Sequence, residues 1–170
     1  MGLDTSHYDP LAGSLPDQFQ VIVAAPAFSL GVRCDEINII GTEFLPPGES
    51  VSPTTILAQE AARQINAYLD SPGFVFQLPI YSGGSVFRRR VQNLTCSIPC
   101  GQTRTYGYLA HSLQSSPRAV GQACGANSLP LLVPCHRVVA TNGPGGFAHA
   151  RGGFYLDVKK WLLHHEGIDY

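Results

Sequence analysis

From Phe19 to Phe44, short apolar and β-branched runs alternate with turn-forming residues. Phe19–Ala24, Phe28–Arg33 and Ile37–Phe44 are separated by Ala25-Pro26 and by Cys34-Asp35-Glu36. Short strands joined by tight turns predict an antiparallel meander. Leu45-Pro46-Pro47-Gly48 ends it, because proline has no N–H to give a ladder. The period then changes. Ser52-Pro53 reads as a helix cap followed by proline at the first helical position. Leu57, Ala61, Ile65, Tyr68 and Leu69 recur at helical spacing, and Ser71-Pro72-Gly73 closes the helix. Residues 74–84 are rich in turn formers and read as an extended link, while residues 1–16 show no periodicity and read as a loose arm.

The second half reads as mostly helical. Ser85 is placed to cap a helix with Phe87, Val91 and Leu94 inward and Arg88, Arg89 and Arg90 spread around it. Pro99-Cys100-Gly101 stops that helix. Thr105 caps a short helix through Leu113, and Ser116-Pro117 starts another through about Ala126. Two short helices joined by a tight turn form a helix-turn-helix pattern, with Arg118 at the start of the second. The expected fold class is α+β in two parts. Residues 1–79 form a small antiparallel sheet-plus-helix domain, and residues 80–170 a mostly helical, winged-helix-like domain.

At 170 residues, 44% hydrophobic and 14% charged, the chain can bury a real core and does not have a disordered composition. No apolar run is long enough to span a bilayer, and the first twenty residues lack a basic n-region followed by an apolar core. Met1-Gly2 with Ser6 fits only a loose myristoylation pattern. The expected compartment is the cytoplasm. A net charge of −1 argues little for a polyanion partner, but the distribution changes that reading. Residues 1–86 sum to −7 and residues 87–170 to +6. An acidic half joined to a basic half points the second half toward phosphates.

The five cysteines, Cys34, Cys96, Cys100, Cys124 and Cys135, are odd in number and contain no C-x-x-C pair, so neither a disulfide framework nor a zinc ribbon is expected. Cys34 with His7 is too little for a metal site. Most of these thiols read as small buried apolar side chains. Cys135 differs by its setting. Leu129 to Pro134 lead into Cys135-His136-Arg137, and Val138-Val139 follow, so reactive groups are planted in an apolar wall. A thiolate is the nucleophilic form, and a neighbouring imidazole can take its proton. Adjacent residues on a strand face opposite ways, so direct contact would need a bend or a water. A buried structural cysteine fits the dipeptide equally well.

Pro134-Cys135-His136-Arg137-Val138 resembles the active-site motif of the O6-alkylguanine-DNA alkyltransferases, the methylated-DNA–protein-cysteine methyltransferases. Ser116-Pro117-Arg118-Ala119-Val120-Gly121 upstream and Trp161-Leu162-Leu163-His164-His165-Glu166-Gly167 downstream look like that family's flanking motifs, in order. The resemblance is strong over Phe87–Gly167 and weaker over Phe19–Asp70.

The resemblance implies that Cys135 accepts an alkyl group from O6 of guanine, and also from O4 of thymine, once and irreversibly. His136 would sit between Cys135 and Glu166, with a bound water in the relay. Tyr106 would stabilise or protonate the departing guanine. Arg118 would enter the base stack of duplex DNA to replace the extruded nucleotide, since a buried thiolate cannot reach O6 inside a duplex. Thr105, Ala119 and Gly121 would lie along the DNA. Asn127 would brace the helix against the active-site segment, and Cys124 and Lys159 would line or support the pocket. The carbonyls of Cys135 and Val138 would read the guanine amine. The resemblance implies a monomer with double-stranded DNA as its partner, no cofactor, no metal and no membrane. Two departures stand out. Val139 to Trp161 is longer than the family pattern, through Gly152-Gly153-Phe154-Tyr155, and Cys124 stands where a larger apolar residue often packs. Two rival readings are a non-catalytic binder of alkylated DNA and a cysteine hydrolase. The first lacks the cysteine in its family representatives, and the second leaves the helix pair unexplained.

Overall fold

The computed structural model describes residues 18–170, so the N-terminal arm, the myristoylation pattern and His7 lie outside the described residues. The architecture is mixed α and β. Strands β1 (Val21–Ala24), β2 (Ser29–Cys34) and β3 (Ile39–Leu45) form an antiparallel sheet in that order. The expected meander is therefore present. One face is apolar because Val21, Val23, Leu30, Val32 and Phe44 all bury their side chains against α1 and the rest of the core.

Helix α1 runs from Ile56 to Asp70, and its cap is Thr55, whose side chain accepts from the Ala58 N–H. The expected cap at Ser52 is corrected here. Residues 51–54 stay extended because Val51 exchanges both backbone bonds with Ile22 at 3.1 Å and the Thr54 N–H reaches Gln20. Ala58, Ala61, Gln64, Ile65 and Tyr68 form the buried face of α1, one residue removed from the expected Leu57 at its start. The link at residues 74–84 also does more than connect. The Ile39 N–H donates to Pro79 at 2.7 Å and the Tyr81 N–H to Ile39 at 2.9 Å, extending the sheet at the β3 edge.

Helix α2 (Val86–Cys96) is capped by Ser85 as expected, with Val91 and Thr95 buried. Strand β4 (Arg104–Thr105) pairs in parallel with β5 (Val138–Val139). Between them lie α3 (Tyr106–Ser112, capped by Thr105) and α4 (Pro117–Gly125, capped by Ser116), which pack on one another. Helix α5 (Phe154–His165) closes the fold, burying Val158, Lys159, Leu162 and Leu163. It starts well before Trp161, so the stretch expected as one loop is a loop only over residues 140–153.

The core is one continuous cluster drawing on both halves of the chain. Trp161 on α5 packs edge-on to Phe28 at 5.3 Å. Polar ties cross the same boundary: the Thr42 N–H donates to Ser128 at 3.0 Å, and the Thr42 hydroxyl to Pro130 at 2.7 Å. Among the described residues, no helix is long and apolar enough to cross a membrane.

Candidate functional site

Cys135 sits in a single 3-10 turn, Cys135–Arg137, entered through a tight bend at Leu129 to Val133 in which Leu131 takes a left-handed φ of 74°. The bend that the Cys135-His136 dipeptide called for is thus a 3-10 turn. Apolar residues pull both ends of the segment into the core, and a strand would drive one of the two polar side chains out of it. The turn keeps both buried, at 4% and 0% exposure.

His136 Nε2 lies 2.8 Å from Oε1 of Glu166, at the C-terminus of α5. Arg137 makes a two-pronged contact with the same carboxylate, Nε to Oε2 and Nη2 to Oε1 at 2.9 Å each, and its Nη1 donates to Ile98 at 2.8 Å. Burial alone would raise the Glu166 carboxyl, but the bonds from His136 and Arg137 outweigh it and hold the group well below the ordinary carboxylate range. Burial pushes His136 down, against the pull of Glu166, so the ring rests neutral. With Nε2 committed to Glu166, the ring's Nδ1 is buried and has no hydrogen-bond partner among the described residues.

Asn127 donates its amide to the Cys135 sulfur at 3.0 Å and to the Val133 carbonyl at 3.1 Å, and its carbonyl accepts the Leu129 N–H at 3.0 Å. Burial pushes the Cys135 thiol up, while Asn127 and Lys159 pull the other way. Lys159 is itself fully buried. It donates to the carbonyls of Val138 at 2.7 Å and Gly146 at 2.9 Å, and burial lowers it to about 8. Burial and the nearby Cys135 push Cys124 up to about 12. The Tyr106 hydroxyl donates to Gly146 at 3.2 Å, and burial holds it above the ordinary phenol range. Gly145 makes this packing possible. Its φ is +74°, and a Cβ there would fall 2.9 Å from the Tyr106 ring.

Beside these groups opens a cavity of about 500 Å³. Tyr106, Cys124 and Cys135 lie within it, Arg118 and Gly121 on α4 form one wall, and residues 146–151 form the other. Arg118 and Arg151 are exposed at the rim. Thr105 and Ala119 are half-buried on the helix pair beside it. Across the rim, Phe147 and Ala150 exchange backbone bonds at 2.8 Å around a two-residue turn, Ala148 and His149, both with positive φ. The His149 ring lies over Gly125, where a Cβ would meet it at 2.4 Å.

The expected residues Tyr106, Arg118, Gly121, Cys124 and Cys135 therefore meet at one cavity. Asn127, His136, Lys159 and Glu166 stand behind it, and the Val138 carbonyl is bound to Lys159. Sequence reasoning assigned no part to Arg137, Tyr68 or His149. Arg137 had a usable signal, since one buried carboxylate beside a His-Arg pair calls for charge balance. Tyr68 looks like any inward aromatic of a helix.

A nucleophile-type thiol on the floor of a cation-rimmed cavity, backed by an imidazole and a carboxylate, defines a cysteine-centred protein. Comparison with known proteins narrows that class. Residues 86–168 match the family described as 6-O-methylguanine DNA methyltransferase, DNA binding domain. The methylated-DNA–protein-cysteine methyltransferase of Archaeoglobus fulgidus is 39% identical over 110 residues, 64% of this chain and 75% of that protein. The one from Methanosarcina mazei is 38% identical over 108 residues, 62% of this chain and 65% of that protein. The crystal structure of the Mycobacterium tuberculosis O6-methylguanine methyltransferase superposes with a TM-score of 0.73 at 27% identity, covering 88% of this chain and 92% of that one. The M. tuberculosis OGT in complex with DNA gives 0.71 at 28%, covering 86% and 91%. The chain belongs to the O6-methylguanine DNA methyltransferase family. It spans less than two thirds of the length of several curated relatives, including 31% of the Salmonella typhimurium regulatory protein ada.

Proposed function

We propose that this protein repairs duplex DNA by moving the alkyl group of O6-alkylguanine, and of O4-alkylthymine, onto Cys135 in a single turnover. The observation that carries the reading is the buried Cys135 at the floor of the cavity, backed by His136 and Glu166. In the reaction the Cys135 sulfur bonds to the alkyl carbon as the carbon–oxygen bond breaks. The thiol proton passes to Nδ1 of His136 through a water, and the resulting imidazolium is held by Glu166. The guanine leaves as an anion stabilised by the Tyr106 hydroxyl and takes up a proton. The Asn127 amide supports the thiolate, and the Cys135 and Val138 carbonyls read the guanine amine.

On this reading α3 and α4 act as a helix-turn-helix within a winged-helix-like second domain. Thr105, Ala119 and Gly121 approach the DNA backbone, and Arg118 fills the gap left by the extruded nucleotide. The division falls near residue 79, the protein acts as a monomer, and it works in the cytoplasm on DNA. The exposure of Arg118 at the cavity mouth and the DNA complex of the M. tuberculosis relative support this arrangement.

The test is a mass measurement after incubation with duplex DNA carrying O6-methylguanine. Trypsin releases Ala119–Arg137, which carries Cys124 as well as Cys135. Fragment ions therefore have to place the added methyl. One methyl per protein on Cys135 supports the reading, and an unmodified peptide with the lesion intact overturns it.

A further inference from the structure

The family match begins at residue 86, yet one side chain of the site lies before it. Tyr68, on the buried face of α1, donates its hydroxyl to Oε1 of Glu166 at 2.8 Å and is 1% exposed. Its ring is wedged between Phe76 at 5.6 Å and His165 at 5.2 Å, and His165 Nε2 lies 2.9 Å from the Tyr68 carbonyl. Burial, followed by the Glu166 charge, holds the phenol well above its ordinary range, so it stays a neutral donor.

We propose that Tyr68 is a positioning residue for the chemistry at Cys135: its hydroxyl sets how strongly Glu166 holds the His136 imidazole, tying the N-terminal helix to the proton relay. The proposal rests on the alkyl-transfer reading above.

The geometry makes Oε1 a shared acceptor. It takes Tyr68 at 2.8 Å, His136 Nε2 at 2.8 Å and Arg137 Nη2 at 2.9 Å, while Oε2 takes Arg137 Nε at 2.9 Å. Each donor draws on the same negative charge, and in a water-poor interior that competition is undamped. Arg137 grips both oxygens, so the carboxylate keeps its orientation without Tyr68. What the hydroxyl changes is the charge left on Oε1 for the imidazole. The other groups around the pair are Cys135 on the same turn, Lys159 on α5, Cys96 at the end of α2 and Cys100 in the turn beyond it. Arg137 and Lys159 both disfavour an imidazolium. Removing the hydroxyl therefore leaves a stronger acceptor opposite Nε2 and favours the protonated ring.

Two variants test this with opposite signs. Tyr68→Phe deletes the donor and keeps the ring, and 3-fluorotyrosine at position 68 strengthens the donor in nearly the same shape. The readouts are the His136 ring titration by ¹⁵N NMR and the acid limb of Cys135 methylation by an O6-methylguanine duplex. Tyr68→Phe is expected to raise both midpoints by about half to one pH unit, the equivalent of one hydrogen bond. The fluorinated ring should lower them. Phe76→Leu, a packing control, should lower the urea midpoint and leave both titrations in place. Midpoints that stay put or move the other way in the two Tyr68 variants overturn the proposal. If the wild type never methylates Cys135, the alkyl-transfer reading fails, while the ring titration still decides the part played by Tyr68.

Discussion

Asn127 is hydrogen-bonded to the sulfur of Cys135 at 3.0 Å, and the same amide holds the Val133 carbonyl that precedes it. One side chain thus both shapes the bend entering the reactive turn and supplies a donor to the thiol. Asn127→Ala should cost about 1–3 kcal/mol of stability, because buried backbone groups lose their partner. The thiol, already raised by burial, should move further up once the Asn127 bond that lowers it is gone. Alkylation by iodoacetamide followed against pH reads this directly, and a midpoint lower than wild type would contradict it.

Cys135→Ala is expected to abolish alkyl transfer and leave duplex binding intact. Arg118→Ala should weaken binding by about 1–3 kcal/mol and slow repair with it. Gel shifts beside transfer assays separate the two. Wild-type repair rates in Arg118→Ala would remove that residue from the proposed base-extrusion step.

Glu166 gives a pH dependence with a definite sign. Its folded carboxyl lies well below its unfolded value, so its stabilising contribution is full above the unfolded pKa and fades as pH falls. The urea midpoint of the wild type should therefore drop from about pH 5 downward. Glu166→Gln should lose roughly 3–5 kcal/mol at neutral pH, since Arg137 is left without its anion, and should show a flatter acid dependence. A steeper one would count against the role given to this carboxylate.

The turn at Ala148 and His149 places two non-glycine residues at positive φ, a strained arrangement in a two-residue hairpin loop. Gly125→Ala should push the exposed His149 ring away with little loss of global stability, under about 1 kcal/mol. The displaced segment should be cut faster by trypsin after Arg151. Adding His149→Gly removes the ring and relieves the positive φ at that position, and the double variant should return toward wild-type resistance.

Much of this was legible in the sequence. The meander and the caps at Ser85, Thr105 and Ser116 followed from periodicity and cap chemistry, and the convergence of Cys135, His136 and Glu166 was implied by the family resemblance of the three motifs. The misplaced cap at Ser52 shows why local signals fail: Ser-Pro is a good helix start, but Val51 and Thr54 are already committed to the sheet edge, and a long-range ladder wins. In the reactive segment the sequence left a bend or a water open, and two buried polar neighbours in an apolar wall resolve it as a turn. Tyr68 was invisible because its hydroxyl partner lies 98 residues away. The His149 turn carries none of the Asn or Gly residues that normally announce positive φ.

The burial of Glu166 also reshapes the outside of the molecule. Residues 87–170 contain three acidic side chains, and one of them is enclosed with Arg137 and His136, leaving Asp157 and Asp169 exposed. Arg89, Arg90, Arg118, Arg151 and Lys160 remain in solvent. A polyanion approaching this half therefore meets cations with few carboxylates between them, and its capture should weaken steeply as salt is added. The anion that steadies the reactive turn is thereby kept out of the field that a phosphate backbone would feel.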